Sequence, residues 1–168
     1  IGAGRIGKLH ANNLASRVPN AELAAISDVY EPAAKALAEK LNIPAYYSDY
    51  HKILEDPTID AVFICSSTDT HSPISIEAAK AGKHIFCEKP IDHDLDKIRP
   101  VLEEVKKAGV KYQVGFNRRF DRNFKHVHDV VQAGGIGDVH IVKVTSRDPE
   151  APPLSYVKVS GGIFVDMT

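Results

Sequence analysis

The chain has 168 residues, 43% apolar and 26% charged, the balance of an ordinary globular protein. Its 21 Lys and Arg nearly cancel 22 Asp and Glu, and a net charge of −1 argues against a nucleic-acid or anionic-membrane partner. No apolar run approaches the roughly 18 residues a spanning helix needs, and no signal-peptide pattern opens the chain.

The elements alternate from the start. Glu22 to Ser27 is strand-like, and the Ala-rich stretch from Pro32 to Leu41 is helical, with proline near the start, where it is tolerated. Ala45 to Tyr47 is a short strand and Asp49 to Glu55 a short helix ended by Asp56-Pro57. Ala61 to Cys65 (AVFIC) is a continuous apolar run, as in a strand covered on both faces. A helix from about Pro73 to Ala81 closes at Gly82. His84 to Cys87 is a strand, Leu95 to Ala108 a helix stopped by Gly109, and Tyr112 to Phe116 a strand. Asp121 to Ala133 is helical, Val139 to Thr145 alternates as a half-exposed strand, and Arg147 to Ser155 is a proline-rich loop. Cys65 and Cys87 fall in the apolar runs, so they are expected to be buried free thiols of a cytoplasmic protein.

Strand–helix units at this spacing predict an α/β fold, a doubly wound parallel sheet of Rossmann type with helices on both faces. The rhythm changes after Phe116. Residues 1–117 are therefore expected to form one domain and 118–168 the beginning of a second. Both ends read as cut, so the first strand is expected to be mostly missing and the second domain unfinished.

The glycines carry the first chemical signal. Gly2-Ala3-Gly4-Arg5-Ile6-Gly7 matches G-x-G-x-x-G. The first glycine allows a tight turn, the second lets backbone approach a pyrophosphate, and the third permits close helix–strand contact. Asp28 follows the second strand, where a carboxylate accepts hydrogen bonds from ribose hydroxyls and repels a 2′-phosphate. The pair predicts NAD rather than NADP. A helix-capping Asp and a methyltransferase-type Gly-rich turn are the rival readings of these residues.

In an open parallel sheet, ligands lie beyond the carboxyl ends of the strands. Those ends carry Ser66-Ser67-Thr68-Asp69-Thr70-His71, then Glu88-Lys89-Pro90, then Gly115-Phe116-Asn117-Arg118-Arg119. His71 is either a cofactor contact or a helix-start residue bonded to backbone, and Glu88-Lys89 either site residues or a surface ion pair. His126 and His128 are two apart and face different sides of a helix, so no metal site is expected.

Together GAGRIG, Asp28, Glu88-Lys89-Pro90 and GFNRRFD resemble the glucose–fructose oxidoreductase, inositol dehydrogenase and MocA-like (Gfo/Idh/MocA) family. Ser146-Arg147-Asp148-Pro149 and the run 160–168 (SGGIFVDMT) are most similar to its inositol 2-dehydrogenase branch. The resemblance implies a Rossmann domain followed by an α/β domain with an open, mainly antiparallel sheet. It implies NAD contacts at Gly2, Gly4, Arg5, Ile6, Gly7, Asp28, Ser66, Ser67, Thr68, His71, Glu88 and Lys89. It also implies substrate contacts at Lys89, Arg118, Ser146, Asp148 and Asp166, with Lys89 and Asp166 catalytic. Ser146 stands where some members have histidine, which leaves the stereochemistry of the sugar open. Asp166 resembles the acid of an Asp-x-x-x-His pair whose histidine would fall beyond Thr168, so residues 1–168 alone are expected to be inactive. The implied reaction is oxidation of a secondary hydroxyl of a cyclitol or sugar, myo-inositol to 2-keto-myo-inositol first, in a homodimer or homotetramer. A same-fold enzyme for another sugar and a non-catalytic NAD-binding sensor or scaffold are the alternatives.

Overall fold

The computed structural model describes residues 1–147, 150–157, 160 and 162. The chain divides into two compact units, Ile1–Gly115 and Phe116–Thr168.

The first unit is an alternation of helices and parallel strands: α1 (Arg5–Arg17), β1 (Ala25–Ser27), α2 (Glu31–Leu41), β2 (Ala45–Tyr47), α3 (His51–Leu54), β3 (Ala61–Ile64), α4 (Thr68–Lys80), β4 (His84–Cys87), α5 (Leu95–Ala108) and β5 (Tyr112–Val114). β1 pairs with β2, and β3, β4 and β5 pair in that order, every pair parallel. Two residues bridge the sheets. The Ile1 amino group donates to the Phe63 carbonyl at 2.8 Å, the Cys65 N–H to the Ile1 carbonyl at 2.8 Å, and the Gly2 N–H to the Ser27 carbonyl at 2.7 Å. A cavity of about 670 Å³ lies between the facing edges of β1 and β3 and reaches back to their amino ends, at Leu23, Ala24, Asp60 and Ala61. Ligands of such sheets bind at the opposite, carboxyl edge, so this space is a gap between sheet edges rather than the cofactor cleft.

Burial follows the strands. One apolar cluster gathers Val62, Ile64, Ile85 and Cys87 with Ile74 and Ala78 of α4, and a second gathers Ile26 with Leu37 and Ala38 of α2. At about 25 cal/mol per Å² of apolar surface removed from water, this burial on alternate strand positions is what fixes the strand register. Cys87 is buried and Cys65 half-buried just past β3, and neither thiol is paired. Burial pushes the Cys87 thiol up to about 11 and the Cys65 thiol up to about 12, which disfavours the thiolate at both.

Several of the expected elements are corrected. α4 begins at Thr68, five residues before the expected Pro73, which lies inside the helix and leaves one carbonyl without its helical donor. The β1 strand is confined to Ala25–Ser27. In the second unit, α6 (Arg122–Gln132) forms and is capped by Asp121, whose carboxylate accepts the N–H groups of Asn123 and Phe124. The expected strand from Val139 to Thr145 is not formed, and neither is any antiparallel sheet among the described residues. Alternation states a preference, but a strand exists only when its backbone groups are paired. Ile141, Val142 and Val144 are each more than three-quarters exposed. α7 (Leu154–Val157) is a single helical turn that begins in the last two residues of the region read as loop and runs past it.

Candidate dinucleotide and substrate site

The glycine turn leaves the sheet at the carboxyl ends of β1 and β3. Gly2 has φ +95°, and a Cβ there would lie 2.6 Å from the Cys65 carbonyl oxygen. At Gly7 a Cβ would lie 1.9 Å from the Gly2 carbonyl oxygen, because α1 packs directly on the turn. Gly4 differs. It is exposed, and nothing stands within 4 Å of where its Cβ would be. Gly4 is also the N-cap of α1, which has no capping side chain and no acidic residue in its first turn. The first-turn N–H groups, including those of Arg5 and Ile6, thus form the positive end of a 13-residue helix that carries no acidic side chain in its own first turn. That cradle suits a pyrophosphate.

Asp28 stands one residue beyond β1. Its Oδ2 accepts the Ala3 N–H at 2.7 Å and its Oδ1 the Tyr30 N–H at 2.9 Å. The carboxylate therefore holds the glycine turn against the end of β1, and each oxygen keeps a lone pair for a further donor. It does not cap α2, whose N-cap is Tyr30 with no side-chain cap bond.

The next edge is the start of α4. Ser67 is its N-cap, Thr68 its first residue, and the Ser66 hydroxyl lies 2.7 Å from that of Thr70. His71 is placed differently from the cofactor contact expected of it. It is buried, with Nδ1 2.7 Å from the Pro90 carbonyl and Nε2 3.1 Å from the Ser66 carbonyl. With an N–H at Nδ1 the ring donates to the Pro90 carbonyl, so His71 ties the start of α4 to the β4–α5 turn, and its burial keeps the ring off the open edge of the site.

At the end of β4, the Glu88 N–H donates to the Ile64 carbonyl at 3.0 Å. The Glu88 Oε1 lies 2.6 Å from His10 Nε2, and both side chains are half-buried. Burial pushes the Glu88 carboxyl up, but the His10 ring and the Lys89 N–H outweigh it and hold the group below the ordinary glutamate value. Glu88 is thus a half-buried carboxylate held at the end of β4 by its contact with His10. Lys89 is half-buried beside it.

A model of the oxidoreductase family with an NAD-binding Rossmann fold (Gfo/Idh/MocA) matches residues 1–116. The chain belongs to this family. It is 53% identical over all 168 residues to a myo-inositol 2-dehydrogenase of Thermotoga maritima, covering 50% of that protein. A myo-inositol dehydrogenase structure from Corynebacterium glutamicum superposes with a TM-score of 0.88 at 38% identity, over 99% of this chain and 49% of that one. A scyllo-inositol dehydrogenase of Lactobacillus casei, solved with NAD(H) and scyllo-inositol, gives a TM-score of 0.78 at 35% identity, over 82% of this chain and 41% of that one. The chain thus spans about half the length of the relatives it matches.

For a family member the glycine turn, Asp28 and the strand ends fit an NAD cradle. Arg118 lies in a 3₁₀ turn, Asn117–Arg119, of the second unit, its guanidinium 5.6 Å from the Phe124 ring centre. Ser146 is exposed in the same unit, while Asp148 and Asp166 lie outside the described residues. Among the described residues no cluster of His, Cys, Asp and Glu could hold a metal, and no helix is long and apolar enough to cross a membrane.

Two residues of the site were not singled out from the sequence. His10 follows Gly7 by three positions, the helical spacing that puts it on the face Gly7 packs against the sheet, and that spacing was the available signal. Gly115 was read only as a strand end. A Cβ there would lie 3.1 Å from the Glu88 carboxyl carbon, which only coordinates could reveal.

Proposed function

We propose that the whole protein is an NAD-dependent dehydrogenase that oxidises a secondary hydroxyl of a cyclitol, with myo-inositol converted to 2-keto-myo-inositol. The observation that carries this reading is the 53% identity to a myo-inositol 2-dehydrogenase across a span that includes the glycine turn and Glu88-Lys89-Pro90. The bound nicotinamide supplies the two-electron acceptor. The α1 N-terminus at Gly4, Arg5 and Ile6 holds the pyrophosphate and Asp28 the adenosine ribose, with Ser66, Ser67 and Thr68 along the next edge. Lys89 meets the substrate hydroxyl, and its charge favours the alkoxide that develops there. Asp166 orients a histidine that takes the hydroxyl proton, and Arg118, Ser146 and Asp148 bind the ring hydroxyls. The two free thiols, Cys87 buried and Cys65 half-buried, accord with work in the cytoplasm, and a homodimer or homotetramer is the working assembly.

The test is a panel of myo-inositol, scyllo-inositol and glucose with NAD, followed by nicotinamide absorbance on the full-length protein. The highest kcat/KM is expected for myo-inositol. A preference for scyllo-inositol, the ligand in the Lactobacillus casei structure, would change the isomer and keep the cyclitol class. No turnover with any polyol would leave an NAD-binding sensor.

Cofactor choice gives a further prediction. Asp28 repels a 2′-phosphate, so kcat/KM with NAD should exceed that with NADP, and Asp28→Ser should narrow the gap. The loss should be partial on the NAD side, since the introduced hydroxyl would still offer an acceptor to the ribose while the turn loses its Ala3 N–H contact. A wild-type preference for NADP would overturn the role given to Asp28.

A further inference from the structure

We infer that His10 is a positioning residue for the proposed reaction, acting through Glu88 to hold Lys89 in place. This rests on the catalytic role proposed for Lys89.

The geometry is a brace between the first helix and the end of β4. The Glu88 carboxylate only accepts, so His10 Nε2 carries the proton between them at 2.6 Å. The second Glu88 oxygen accepts the Lys89 N–H at 3.3 Å. Behind the carboxylate stands Gly115, where a side chain would press on it from 3.1 Å. Glu88 is therefore fixed by α1 on one side, by the end of β5 on another and by the neighbouring strand β3 through the Ile64 carbonyl. The main chain after Lys89 is fixed as well, by the bond between His71 and the Pro90 carbonyl. Lys89 stands between two anchored residues.

His10 is more than a filler of apolar space. Its ring lies 5.7 Å from the Phe63 ring and 5.0 Å, edge on, from the Phe86 ring, and those rings stack on each other at 4.7 Å. A phenylalanine would satisfy those neighbours and leave the half-buried Glu88 carboxylate without its side-chain donor. What histidine adds to an aromatic ring at this place is the N–H directed to Glu88. The brace also links the helix whose start holds the dinucleotide phosphates to the residue that meets the substrate.

The test uses the full-length protein with NAD and myo-inositol. His10→Phe should lower kcat by about tenfold, the scale expected for loss of a charge-assisted hydrogen bond. KM for NAD should stay within about twofold, because the glycine turn is untouched. His10→Gln, whose amide N–H can reach Glu88, should restore most of the loss. Glu88→Gln keeps the shape of the site and should match His10→Phe, which provides a second reading if the ring variant folds poorly. In a Lys89→Ala background His10→Phe should cause no further loss, since residues that act as a unit are not additive. Wild-type kcat in His10→Phe beside a strongly impaired Lys89→Ala would overturn the brace alone. A full additional loss in the Lys89→Ala background would overturn it too. Near wild-type turnover in Lys89→Ala would overturn the proposed role of Lys89, and the brace with it.

Discussion

Lys89→Ala lowers kcat/KM for the cyclitol by about 10²–10³-fold, the range seen when one donor to a developing oxyanion is removed. Lys89 stands at the carboxyl end of β4, half-buried, on a main chain anchored on both sides by Glu88 and by His71 through Pro90. A charge held in so defined a place loses little freedom when it meets the substrate, and partial burial strengthens its field relative to water. The effect should fall mainly on kcat, because an alkoxide exists only on the way to the ketone. Binding of NAD, measured by fluorescence quenching or calorimetry without polyol, should change much less, since the adenosine and phosphate contacts lie at the glycine turn and Asp28. Equal losses in NAD affinity and kcat would show that Lys89 holds cofactor rather than substrate.

The two helix-side glycines should separate folding from binding. Gly4→Ala has room in the protein itself, with nothing within 4 Å of the new carbon, and its Tm should match wild type. NAD affinity should nevertheless fall by about 10- to 100-fold, because the methyl occupies the approach to the phosphates and such overpacking costs about 1–3 kcal/mol. Gly7→Ala should fail earlier. Its carbon would lie 1.9 Å from the Gly2 carbonyl oxygen, a backbone atom that cannot turn aside. Destabilisation should reach about 3 kcal/mol or more, the upper end for overpacking. That corresponds to roughly 6–12 °C in Tm for a domain of this size, with NAD binding lost as α1 is displaced. Calorimetry on both variants decides the matter. An unchanged NAD affinity in Gly4→Ala would mean that the phosphates do not approach at that residue.

The residue pattern by itself determined the alternation of strands and helices. The apolar runs AVFIC and HIFC, the Ala-rich helix after Asp28 and the helix from Leu95 to Ala108 needed only their periodicity and their stops, because burial of one face dominates the free energy of each element. The glycine turn was legible for a similar local reason: three glycines at fixed spacing answer steric demands within a few residues. Val139 to Thr145 shows where that reasoning ends. A strand pattern can form a strand only with a partner, and pairing is a tertiary fact. α4 shows the same limit, since Pro73 suggested a helix start and the chain runs through it from Thr68. Only the tertiary structure decided the roles of single side chains. His71 and Glu88 looked alike in the sequence, each a polar residue beyond an apolar run. Folding buried the His71 ring against the Pro90 carbonyl, and set Glu88 between His10, 78 positions away, and Gly115. Such pairings depend on where distant strand ends and helices converge in space, and hydrophobic periodicity, which records only which face is buried, carries no trace of them.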